Sequence, residues 1–89
     1  MTGRFTTTGV CSKEITYRIE NNVVRDVVFT SGCPGNLQGI SRLVEGMEVR
    51  EVIRRLKGIT CGQKDTSCPD QLAHALEEAL GSRASAAGE

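Results

Sequence analysis

K-E-I-T-Y-R-I-E-N-N-V-V-R-D-V-V-F-T, residues 13–30, is the stretch that decides the fold. From Lys13 to Glu20 apolar and polar residues alternate: Ile15, Tyr17 and Ile19 share one face, Thr16, Arg18 and Glu20 the other. A period of two marks a half-buried strand. Asn21-Asn22 follows, and asparagine tolerates positive φ, so the pair suits a two-residue hairpin turn. Val23 to Thr30 then returns as the partner strand. In the simplest register Ile19 faces Val24 and Ile15 faces Val28, leaving Asp26 opposite Tyr17 as a polar flaw on an apolar face.

Upstream of the hairpin, R-F-T-T-T (residues 4–8) has strand propensity, ends at Gly9 and adds a third strand. Downstream the period changes. Leu37, Ile40 and Val44 fall at helical spacing before Gly46. Gly35 and Gly39 weaken that helix by roughly 1 kcal/mol each relative to alanine, and a close approach of another group to the backbone is the expected reason. Val49, Val52, Ile53 and Leu56 form the stripe of a second helix that stops at Gly58. A third is expected from Pro69 to Leu80, with Gly81 as its stop and S-R-A-S-A-A-G-E as a polar, disordered tail. The expectation is one domain over residues 1–81 and a tail over 82–89. Its class is α+β, a three-stranded antiparallel sheet followed by three helices packed on one face.

A core built from 38% apolar and 3% aromatic residues in an 89-residue chain is thin. Domains of this size often need a metal, disulfides or an oligomeric partner. Eleven basic and eleven acidic side chains cancel, which argues against a nucleic-acid partner, since phosphate binding needs a basic patch. The locally basic segment Arg50 to Lys57 reads as the solvated face of a helix. No stretch is long and apolar enough to cross a bilayer, and the N-terminus lacks a signal-peptide pattern. A cytoplasmic location is therefore expected, where cysteines bind metal or carry out redox chemistry rather than form a disulfide framework.

The four cysteines are Cys11, Cys33, Cys61 and Cys68, and both prolines of the chain directly follow a cysteine. All four fall at expected element junctions. Cys11 and Cys33 belong to the same end of the sheet, Cys61 to the loop before the last helix, and Cys68 to its start. Proline favours the first helical position, which makes Cys33 and Cys68 the expected N-caps, beside unpaired N–H groups that favour a thiolate. Four converging thiolates suit a closed tetrahedral Zn²⁺ site. The alternatives are an iron–sulfur cluster, or redox-active thiols with Cys61 and Cys68 as the exchanging pair. Gly32, Gly35, Asn36 and Gly39 form a glycine-rich helix start that could hold an anion, without the Lys and Ser/Thr of a P-loop. His74 is expected on the surface, and Asp70 to favour the helix N-terminus electrostatically. No Ser–His–Asp set or dinucleotide fingerprint is present, so catalysis by the chain alone is not expected.

T-S-C-P-D at residues 66–70, G-C-P-G-N-L-Q-G-I at residues 32–40 and the upstream Cys11 together resemble the TSCPD domain family, over roughly Arg4 to Leu80. The resemblance implies a link to adenosylcobalamin-dependent ribonucleoside-diphosphate reductases and deoxyribonucleotide synthesis, with such a reductase or another protein as partner. The reductase chemistry itself needs a far larger chain. More distantly, the order of elements and the places of Cys11, Cys33 and Cys68 are similar to iron–sulfur cluster assembly scaffolds. Lys13 and Ser67 stand where scaffolds carry an aspartate and a histidine, and Cys61 is additional. The resemblance with these departures implies a static zinc site rather than a transferable cluster.

Overall fold

Asn21 and Asn22 both take left-handed backbone, at φ 53° and 64°, and so close the hairpin where the sequence places it. The strands on either side are β2 (Glu14–Glu20) and β3 (Val23–Thr30), with β1 (Thr2–Thr6) antiparallel on the outer side of β2. Three helices follow, α1 (Pro34–Val44), α2 (Val49–Leu56) and α3 (Cys68–Ala86). The arrangement comes from a computed structural model that describes residues 2–10, 12–30, 34–60, 62 and 65–86. It is the expected α+β order, a three-stranded antiparallel sheet and then three helices.

The register departs from simple alternation at one point. Ile19 pairs with Val24 as expected, but Ile15 pairs with Phe29 and Thr16 with Val28, because a bulge shifts the ladder between Thr16 and Arg18. Asp26, at φ 52°, is the residue in left-handed backbone there. Strict alternation would drive the Asp26 carboxylate into the core. One extra residue instead turns every later side chain to the opposite face. Asp26 points outward and accepts a 2.9 Å hydrogen bond from Arg18 Nε, while its N–H donates to Glu45 Oε1 at 2.8 Å. Val27 becomes a core residue, and Val28 is left 54% exposed.

Gly3 pairs with Tyr17 across β1 and β2, and a Cβ at Gly3 would run into the Tyr17 ring. The glycine thus lets the ring lie flat over β1 and stay buried. The half of β3 next to the turn is covered by the α1–α2 link: Val24 N–H donates to Met47 O, and Gly46 N–H to Val24 O, both at 2.8 Å. Gly46 makes that path possible at φ 82°. Ile15, Tyr17, Ile19, Val24 and Val27 from the sheet meet Val44 of α1, Val49 and Val52 of α2, and Leu72, Ala75, Leu76 and Ala79 of α3.

α3 does not stop at Gly81 but continues to Ala86, five residues into the stretch expected as a tail. Gly46 and Gly58 have positive φ and terminate their helices, whereas Gly81 does not take that conformation. A helical glycine costs about 1 kcal/mol, which the helix-compatible residues after it can offset.

The bulge makes two adjacent valines unequal. Val28→Thr is expected to change stability by no more than about 0.5 kcal/mol, and Val27→Ala to cost about 2 kcal/mol. Urea denaturation of both variants checks this; the reverse ranking would contradict the register.

Candidate metal centre

The start of α3 is set by a serine. Ser67 Oγ accepts the Asp70 N–H at 3.2 Å, and Ser67 O accepts the Gln71 N–H at 2.8 Å. Ser67 is therefore the N-cap, Cys68 the first helical residue and Pro69 the second. The expectation of Cys68 as N-cap is off by one. None of the first-turn N–H groups has an intrahelical acceptor, so a proline is tolerated at the second position as at the first. Serine is also the stronger cap, since its hydroxyl accepts the orphan N–H.

Asp70 is 4% exposed and accepts hydrogen bonds from Gly58 N–H at 2.7 Å and Thr66 Oγ1 at 2.5 Å. Its other neighbour is His74 Nε2 at 3.2 Å. Burial alone pushes this carboxyl up; the hydrogen bonds from Thr66 and Gly58, with His74 beside them, outweigh it and hold the group below the usual carboxylate range. Thr66 Oγ1 also accepts from Gln71 Nε2 at 3.0 Å, and Gln71 Oε1 accepts the Thr8 N–H at 3.2 Å. Ser67 Oγ donates to Ile59 O at 2.7 Å. Residues 66–71 thus tie the exit of α2, the β1–β2 connection and the start of α3 into one brace.

Cys68 sits inside that brace, 7% exposed, with its Sγ 3.2 Å from Ser12 Oγ. Ser12 is itself 3% exposed, and its carbonyl accepts from Thr7 Oγ1 at 2.5 Å. Next to it, Lys13 N–H donates to Thr30 O at 2.8 Å, joining the β1–β2 connection to the last residue of β3. The structure therefore brings Cys68 against the residue that follows Cys11. Cys11, Cys33 and Cys61, the other three expected ligands, lie outside the described residues, as does Gly32. Among the described residues no group of three or more His, Cys, Asp and Glu could hold a metal ion, and Cys68 is the one cysteine of the four that is described.

Gly35, Asn36 and Gly39 lie exposed in the first half of α1. A Cβ at Gly35 or Gly39 would meet nothing within 4 Å, so the close approach expected of these glycines is not made by any described residue. His74 is half-exposed, as expected, and reaches Asp70 and Glu77. Asp70 is more than an electrostatic aid to the helix, because it accepts from two other segments. Sequence reasoning missed Ser12, Thr66, Ser67 and Gln71 as working residues. Ser67-x-x-Asp70 carries the signal of a capped helix start, whereas nothing local marks Ser12, 56 positions from its partner.

Asp70→Ala leaves the Gly58 N–H and the Thr66 hydroxyl without their charged acceptor and is expected to cost about 2 kcal/mol in urea denaturation. The folded-state pKa of Asp70 lies below the unfolded value of about 3.9, so its contribution is complete above that value and is lost as pH falls through the folded-state pKa. The stability gap between wild type and Asp70→Ala is therefore expected to narrow under strongly acidic conditions. A gap unchanged down to about pH 2 would contradict this.

Comparison with curated proteins and with solved structures gives no significant match. The TSCPD domain model matches residues 1–80, which takes in all three strands, α1, α2 and most of α3, and includes the residues of the brace. The chain belongs to the TSCPD domain family.

Proposed function

We propose that this domain is a small metal-binding accessory module in which Cys11, Cys33, Cys61 and Cys68 hold one Zn²⁺, and whose surface meets a protein partner. The observation that carries the reading is the convergence of described residues that flank the four cysteines. Ser12, which follows Cys11, touches Cys68; Lys13 is bonded to Thr30, three positions before Cys33; Ser67 is bonded to Ile59, two positions before Cys61. Cys68, the described donor, is buried, and a set of four thiolates fits zinc, which takes four sulfur ligands in closed structural sites. Such a site supplies on the order of 10 kcal/mol of apparent folding free energy, comparable to the whole stability of a small domain, about 5–15 kcal/mol.

Two features favour a static zinc site over the other chemistries. Thiol exchange with a partner protein needs a reachable sulfur, and Cys68 is buried. Ser67, standing where cluster scaffolds carry a histidine, is committed to the helix cap and to Ile59. The TSCPD family membership supports ribonucleoside-diphosphate reductase as the partner and deoxyribonucleotide synthesis as the setting. The domain would then act by holding a surface in shape rather than by catalysis.

Protein purified without an affinity tag is expected to contain one zinc per chain and to lose most of its thermal stability on chelation. Cys68→Ser is expected to abolish stoichiometric zinc. Substoichiometric zinc and iron, with unchanged melting after chelation, would contradict the proposal.

A further inference from the structure

We infer that the free edge of β1 is a self-association surface, on which a second copy of this chain adds its own β1 antiparallel across a two-fold axis. The chain treats the two edges of its sheet differently. On β3, Val24 bonds to the α1–α2 link and the Asp26 N–H to Glu45. β1 pairs with β2 alone, in unbroken register from Thr2↔Arg18 to Thr6↔Glu14, and no other described residue makes a backbone bond to its outer edge. Exposed edges are usually blunted by proline, lysine, a bulge or an inward charge; T-G-R-F-T has none of these.

The groups on that edge follow from the ladder. The two-residue turn at Asn21-Asn22 makes Glu20 and Val23 a hydrogen-bonded pair. Backbone direction alternates along β2, so Thr16 and Arg18 face β3 whereas Ile15 and Tyr17 face β1. Their partners Phe5 and Gly3 are thus bound inward, and the N–H and C=O groups of Thr2, Arg4 and Thr6 point outward. The Thr7 N–H on Lys13 O continues the same alternation.

A two-fold axis at Arg4 sets Thr2 against Thr6 of the second copy and Arg4 against its Arg4, so every outward group finds a partner. Phe5 then lies opposite Gly3 of the second copy, at a non-hydrogen-bonded position where side chains come closest. Gly3 has no side chain, and the Tyr17 ring lies across it. Phe5, half-buried against the core, therefore gains an aromatic neighbour. On the outer face the two Arg4 side chains meet, each with its own Glu14 at 3.6 Å. The axis brings together two ion pairs rather than two bare cations.

Sedimentation equilibrium of the full chain tests this. The wild-type mass is expected to rise from one chain towards two across the micromolar range; a one-chain mass up to millimolar concentration overturns the inference. Arg4→Pro removes an N–H that β2 does not use, so the β1–β2 ladder survives. It is expected to weaken self-association by about 30-fold or more, since both Arg4–Arg4 bonds are lost. Arg4→Thr keeps the backbone groups and is expected to keep the dimer. Equal association by wild type and Arg4→Pro, or a loss in Arg4→Thr to match Arg4→Pro, overturns the inference. Should Arg4→Pro fail to fold, amide exchange in the wild type decides: protection of the Arg4 and Thr6 N–H groups that grows with concentration is expected, and its absence overturns the inference. Protection that appears only when a different protein is added identifies another occupant and overturns it as well.

Discussion

The Asp70 carboxylate lies under α2 and the turn after it, accepting from the Gly58 N–H and the Thr66 hydroxyl, with His74 alongside. A buried charge is tolerated only when its hydrogen-bonding capacity is met, and here the donors come from separate parts of the chain. That requirement fixes where α2 ends relative to where α3 begins. It also closes the loop between them, since the Ser67 hydroxyl reaches Ile59 from the same turn. Among the described residues no buried side-chain nitrogen or oxygen lacks a partner, so the polar interior is fully satisfied rather than strained.

Each letter of T-S-C-P-D then has a physical task. Threonine bridges Asp70 and Gln71, serine caps the helix, and cysteine presents its sulfur to Ser12. Proline sits second in the helix, where the N–H it lacks would have had no intrahelical acceptor. Aspartate joins α2 to α3. The brace holds a buried thiol at the junction of three segments. It also adds to a core in which, among the described residues, the large, fully buried side chains are few: Ile15, Leu72 and Leu76 with Val24, Val49 and Val52.

Much of the fold is legible from period and punctuation. Ile15, Tyr17 and Ile19 announce the strand, Asn21-Asn22 the turn, and Val49, Val52, Ile53 and Leu56 the second helix. Asp26 was visible as a flaw opposite Tyr17, but its resolution by a bulge depends on the cost of burying a carboxylate against that of slipping the register, which no local pattern states. Gly81 looked like a helix stop because glycine residues at Gly46 and Gly58 are stops, yet glycine ends a helix only where the chain turns left-handed. The part of the site formed by Cys68 and Ser12 was half legible. A cysteine before a proline is conspicuous, while a buried serine 56 positions away becomes meaningful only once tertiary structure joins the two.

The central claim is that this brace exists to seat Cys68 in a closed four-sulfur metal site. Zinc K-edge X-ray absorption on the intact, untagged protein tests it most directly. A single shell of four sulfur atoms at about 2.3 Å is expected. A shell containing oxygen or nitrogen, or fewer than four sulfurs, would contradict it.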